Sequence, residues 1–180
     1  LLIEKGADIY FKDDKQVTTL LQASHRGLTD VVAALLTKNS AAATTTTTAA
    51  AAALYINTPS NDGITPLMAA ASEGHAESVR LLLETGLAEV GWKDQDGTTS
   101  LMAASARGHK SVVSLLLEKE KEKGGGGGVN EQNRDGHTAL MFAYNGKNQV
   151  ETLWERFSQY LGAESSSSSS SSSSESVSAR

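Results

Sequence analysis

The chain contains no cysteine, which excludes disulfide scaffolds, thiol nucleophiles and every zinc site built on thiolates. Long apolar runs are missing as well. The longest, Ala49–Ile56, falls far short of the ~20 residues that a membrane-spanning helix needs. There is no excess of positive charge. With 16 basic and 21 acidic side chains the net charge is −5, which gives no electrostatic reason to bind nucleic acid or anionic lipid. Signatures of catalysis and cofactor binding are equally scarce. No Gly-x-Gly-x-x-Gly, P-loop or Gly-x-Ser-x-Gly element occurs, and Gly124–Gly128 lacks the Lys-Ser/Thr ending of a phosphate cradle. The four histidines show no His-x-x-x-His or Glu-x-x-His spacing, and nothing brackets one of them as a catalytic triad requires. No catalytic residue, metal site, cofactor or small-molecule substrate is therefore expected. What the 180 residues and 39% apolar content allow is a soluble, mildly acidic chain of roughly one domain.

What is present is a repeat. Asp62-Gly63-Ile64-Thr65-Pro66-Leu67-Met68-Ala69-Ala70 returns as Asp96-Gly97-Thr98-Thr99-Ser100-Leu101-Met102-Ala103-Ala104, 34 residues later. It returns again, 39 residues on, as Asp135-Gly136-His137-Thr138-Ala139-Leu140-Met141-Phe142-Ala143. Deleting a charged and glycine-rich stretch of the intervening chain restores a period near 33. A weaker copy, Val17-Thr18-Thr19-Leu20-Leu21-Gln22-Ala23, comes into phase once the Ala/Thr block Ala41–Ala53 is removed. A second signature follows inside the copies: Gly74-His75 with Val79, Leu81, Leu82 and Leu83, then Gly108-His109 with Val112, Val113, Leu115, Leu116 and Leu117. Thr65, Thr99 and Thr138 stand just before small apolar runs, where a hydroxyl can accept from orphan backbone donors at a helix start. Pro66 then falls at a first-turn position, where its missing N–H costs nothing. Gly63, Gly97 and Gly136 follow Asp in turns that favour a positive φ.

This combination resembles the ankyrin repeat, and the resemblance covers residues 1–161 with the inserts left out. It implies an all-α repeat solenoid: stacked helix-turn-helix units with connecting β-hairpin loops, about four repeats plus a truncated first half-repeat. No unit of this length folds alone, so the core arises between neighbours. Residues 1–14 read as a partial repeat, with full repeats at 15–40, 61–93 and 94–119. A low-complexity insert lies at 41–54, a charged and glycine-rich insert at 120–128, and a capping repeat at 133–161. Three departures from the family pattern stand out. The usual His after Thr-Pro-Leu is replaced by Leu21, Met68, Met102 and Met141, where an adaptable side chain is expected to fill the space. Gln16 stands at a turn glycine's place, so an irregular first hairpin is expected. The last copy is shortened around Tyr144–Lys147.

Both inserts fall after a second helix and before the next hairpin, and are expected to loop out from one edge at little cost. Glu118–Lys123 offers i,i+3 opposite charges that can prolong its helix up to Gly124. Val150, Leu153, Trp154, Phe157, Tyr160 and Leu161 recur at helical spacing and read as an amphipathic closing helix. Residues 162–180, with the Ser165–Ser174 run, read as a disordered tail. The start, Leu1-Leu2-Ile3-Glu4, lies mid-pattern with no initiator Met or signal peptide. It is expected to belong to a longer chain, with Leu1, Leu2 and Ile3 a raw apolar edge.

In the resembled family, hairpin tips and exposed first-helix residues contact protein partners. The resemblance therefore implies a non-catalytic protein–protein interaction module, a scaffold or adaptor. The missing cysteines and signal peptide lead to the expectation of an intracellular, cytoplasmic or nuclear setting. The alternative is the substrate-recognition region of a larger catalytic or ubiquitin-ligase protein. The implied partner-binding strip runs through Asn61, Asp62, Ile64, Ser72 and Glu73, then Trp92, Lys93, Gln95, Asp96, Thr98 and Arg107. Arg134, Asp135, His137 and Asn145 continue it, and the weak first copy adds Lys12, Asp14, Lys15, His25 and Arg26. Trp92 occupies a hairpin arm where Phe11, Thr58 and Gln132 are read as its equivalents in the other copies, so no shared packing role demands an indole. It reads either as a binding hot spot together with Arg107 or as a side chain packed across its own hairpin or on a neighbour. His75 and His109 follow their glycines in the same phase and read as one structural role used twice.

Overall fold

Each repeat begins where a threonine caps a helix. In the computed structural model, which describes Lys5 and residues 7–42, 46–122 and 128–145, the Leu21 N–H donates to Thr18 Oγ1 at 3.1 Å. Met68, Met102 and Met141 donate in the same way to Thr65, Thr99 and Thr138 at 3.3–3.4 Å. These caps start four short inner helices: α1 (Thr19–His25), α4 (Pro66–Glu73), α6 (Ser100–Ala106) and α8 (Ala139–Asn145). Three longer outer helices return behind them: α2 (Thr29–Ala42), α5 (Ala76–Glu84) and α7 (Lys110–Glu122). Inner helices pack on inner helices, from α1 through α4 and α6 to α8, and outer helices pack on outer helices from α2 through α5 to α7.

The core repeats with the sequence. Leu20, Leu67 and Leu101 on the inner layer are at most 2% exposed, and Leu35, Leu82 and Leu116 on the outer layer are fully buried. Val32, Val79 and Val113 fill one further register between them. Each such leucine contributes about 2 kcal/mol relative to exposure, so the layers between neighbours hold the stack together. Met68 and Met102 fill the position where the family's histidine is absent and are buried, whereas Met141 at the same register is 47% exposed.

The connections are turns; among the described residues no strand forms, and a single antiparallel bridge joins Lys12 and Thr18. One geometry serves all four. The first residue's N–H donates four residues on, from Asp13, Ser60, Asp94 and Asn133 to the carbonyls of Val17, Ile64, Thr98 and His137 at 2.9–3.2 Å. Asp13, Asp94 and Asn133 each also accept two backbone N–H groups on Oδ1, which locks the turn from within. The fourth residue adopts φ of +83°, +77° and +77° at Gly63, Gly97 and Gly136. Gln16 adopts φ +60° there and closes the same hydrogen bonds, so the irregular first hairpin expected from its side chain does not occur. Neighbouring turns lie edge to edge: the N–H groups of Asn61, Gln95 and Arg134 donate to the carbonyls of Lys15, Asp62 and Asp96 at 2.8–3.2 Å.

The Ala/Thr segment differs most from its expected form. Residues 46–54 of the stretch expected to loop out form, with Tyr55 and Ile56 after them, an extra helix, α3 (Thr46–Ile56), which packs against α2. Alanine is the strongest helix former, and the Tyr55-Ile56 ending gives that run residues to bury. Ala52, Tyr55 and Ile56 are buried, the Asn39 amide donates to the Ala52 carbonyl at 3.2 Å, and Tyr10 meets Tyr55 edge-on at 5.0 Å. Asn57 then ties the end of α3 to the second repeat, donating to Leu87 O and accepting from Glu89 N–H. The charged run extends α7 as far as Glu122, with Lys119 paired to Glu122 at 2.8 Å, so the insert expected from residue 120 is still helical there. The expected raw edge at Leu1–Ile3, the glycines 124–127, the closing helix at 150–161 and the tail at 162–180 lie outside the described residues.

Candidate functional site: a groove between turns and inner helices

The turns project past the inner helices, and the angle between them forms a concave groove of about 310 Å³. Its floor is made by Leu21, Met68, Ala69 and Ala103, and its turn-side wall by Val17, Ile64 and Thr98. Ionisable groups rim it: Lys15, Asp62 and Asp94 on the turn side, and His25, Glu73 and Arg107 at the ends of the inner helices. Of the residues assigned to the partner-binding strip, Lys15, His25, Asp62, Ile64, Ser72, Glu73, Thr98 and Arg107 therefore meet in one place.

Arg107 links two repeats on the helix side. Its guanidinium donates to the Ser72 carbonyl at 3.2 Å and forms an ion pair with Glu73, while His25 Nε2 lies 3.8 Å from the same carboxylate. The hydrogen bond from Arg107 holds Glu73 below the usual carboxylate range, with partial desolvation pulling weakly the other way. Asp94 is committed differently, since its Oδ1 accepts from the Asp96 and Thr98 N–H groups.

Trp92 lies apart from Arg107. Its indole N–H donates to the Gly63 carbonyl at 3.0 Å, and the ring is half-buried against the preceding turn rather than lining the groove. Lys93 pairs with Glu131. Asn61 and Gln95 serve turn stacking, donating their side-chain amides to the Asp14 and Asn61 carbonyls. Asp96, Arg134 and Asp135 are exposed at the tips. His137 meets Phe142 edge-on at 5.6 Å, and Asn145 ends α8.

The paired histidines have one role used twice. His75 Nε2 lies 3.1 Å from the His25 carbonyl, and His109 Nε2 lies 2.9 Å from that of Ser72. A carbonyl only accepts, so Nε2 carries the proton in both. Each ring covers the preceding repeat's glycine so closely that a Cβ on Gly27 or Gly74 would come within 2.5 Å of the imidazole Nδ1.

The strip assigned from sequence did not include the groove's floor: Leu21, Met68, Ala69 and Ala103. Their signal was their place three and four residues after each capping threonine, which an exposure-based reading passes over because they are small or apolar. Among the described residues, no group of three or more His, Asp or Glu side chains is arranged to hold a metal ion. The chain matches the family model described as Ankyrin repeats, in three copies over residues 1–91, 42–125 and 85–161. A comparison with curated proteins gives no match.

Proposed function

Since the chain belongs to the ankyrin-repeat family, whose repeats are generally protein–protein interaction modules, we propose that it is a non-catalytic adaptor that holds a protein partner in its concave groove. The observation that carries this reading is the groove itself. Residues from three successive repeats, from Lys15 to Arg107, converge on one open surface that the stack leaves uncovered. Solenoids build extended binding surfaces in this way because each repeat adds one turn and one inner helix to the same face. The partner is a protein of the same compartment, which the reading places inside the cell.

A photo-crosslinking side chain at the Ser72 position, inside the groove, is compared with one at the exposed Arg80 position on α5. The partner is expected to crosslink from the first and not from the second. Crosslinking from the Arg80 position alone would move the working surface to the outer helices.

A further inference from the structure

The concave groove is not equally open along the stack. In the second and third repeats the gap between turn arm and inner helix is lined by Ile64 with Ala69 and by Thr98 with Ala103. The fourth repeat carries His137 and Phe142 at those two registers, counted from the capping Thr138. Their rings meet edge to edge at 5.6 Å, and Phe142 packs partly against the core. An aromatic pair thus fills in the fourth repeat the gap that alanines leave open in the second and third. At the other end Gln22 replaces the alanine, and the first repeat lines the groove with Val17, Leu21 and His25 instead. The alanine-floored part of the groove therefore spans the second and third repeats, with the first repeat closing its near side. The whole groove, about 310 Å³, holds one or two large side chains, not a folded surface.

The charges over that stretch are unevenly committed. Arg107 is neutralised by Glu73, Lys93 by Glu131, and Asp94 is occupied by backbone N–H groups. Asp62 and Asp96 remain exposed on the turn rim of the same two repeats, and neither joins a salt bridge among the described residues. Among the described residues, the turn-side cations without a salt bridge, Lys15 and Arg134, belong to the repeats on either side.

Resting on the concave-face reading above, the geometry points to one occupant. It is a short extended segment of a protein partner that lays one bulky apolar side chain over Ala103, between Ile64 and Thr98, and sets an adjacent Lys or Arg against Asp62 and Asp96. The apolar side chain supplies the anchor, and the carboxylates select the neighbour's sign. The His137–Phe142 pair ends the site.

The test selects binders from random 12-residue peptides with the whole chain as bait and measures the best of them against variants. The selected peptides are expected to share a bulky apolar residue within a few positions of Lys or Arg. Ala103→Phe, which repeats in the third unit what Phe142 does in the fourth, should weaken binding roughly tenfold or more. Asp62→Asn with Asp96→Asn, at exposed positions, should weaken it roughly three- to tenfold, with the effect shrinking as salt rises. Phe142→Ala should not weaken it. Selected peptides that are acidic, or binding indifferent to the Asp variants, would overturn the basic-segment inference. The concave-face reading would still stand if Ala103→Phe blocks them. Binding that survives Ala103→Phe in a folded chain, or a selection that yields no peptide, would overturn the inference as well; survival would also count against the concave face. Circular dichroism establishes that each variant is folded, and Thr98→Phe plugs the same gap from the turn side if Ala103→Phe is not.

Discussion

The junction between the first and second repeats and the junction between the second and third are made from the same parts at different sequence separations. Both carry a histidine ring over the preceding glycine, a bond from its Nε2 to the carbonyl two residues before that glycine, and an N–H to carbonyl bond between turns. Yet the capping threonines Thr18 and Thr65 are 47 residues apart, whereas Thr65 and Thr99 are 34 apart. The extra chain is absorbed by α3 beside α2, leaving α1 against α4 as closely matched as α4 against α6. What differs is accessory. Trp92 donates to the earlier turn at the second junction, while Thr58 at the same register turns back to donate to its own Leu54 carbonyl at 2.8 Å. Registration of the stack is therefore set by backbone and by the His–Gly contact, and the larger side chains adjust each junction locally.

The sharpest way to break the likeness is at the glycine. Gly74→Val imposes a side chain at φ +78° and drives its Cβ into the His109 ring, so a loss of about 3 kcal/mol or more is expected in chemical denaturation. Gly86→Val carries a similar φ of +69° with nothing within 4 Å, and should cost only about 1–2 kcal/mol. Equal losses at the two sites would remove the ring contact from the account. Trp92→Phe comes next. Losing its bond to Gly63 should cost about 1 kcal/mol, with the added hydrogen exchange confined to the second junction; loosening of both junctions would contradict the local role. Gln16→Gly should run the other way. Relief of the left-handed strain outweighs the added freedom of the unfolded chain, for a gain of about 0.5 kcal/mol, and a destabilised variant would show that the glutamine side chain is holding the turn.

The smallest effect is acid-dependent. Glu73 is held below the usual carboxylate range, so its contribution is complete above that range and is lost as pH falls from about 4.5 through its lowered value. The melting-temperature difference between the parent and Glu73→Gln should be constant above pH 5, shrink below pH 4, and fade in high salt because the pair is partly exposed. A difference that grows on acidification would be incompatible with that sign.

Much of this architecture was legible in the residues. Thr65, Thr99 and Thr138 mark helix starts because a short side-chain acceptor has few other uses before an alanine run, and Gly-His pairs in phase announce one repeated contact. The Ala/Thr segment was harder to read. It has neither apolar period nor cap, and only its Tyr55-Ile56 ending says that one side is buried. Gln16 was opaque for a different reason: four hydrogen bonds and a stacked neighbour select its conformation against its own preference. The site's location followed from repeat alignment, but its chemistry depends on partners 34 residues apart. Whether Arg107 meets Glu73, or Trp92 meets Gly63, is decided by the stacking distance and not by any local pattern.

Hydrogen exchange with and without the bound partner tests the central claim most directly. Binding in the concave groove predicts new protection at the turns around residues 60–64 and 94–98 and along the exposed sides of α4 and α6, with α5 and α7 unchanged. Protection that appears on α3, α5 or α7 and leaves those turns unaltered would contradict it.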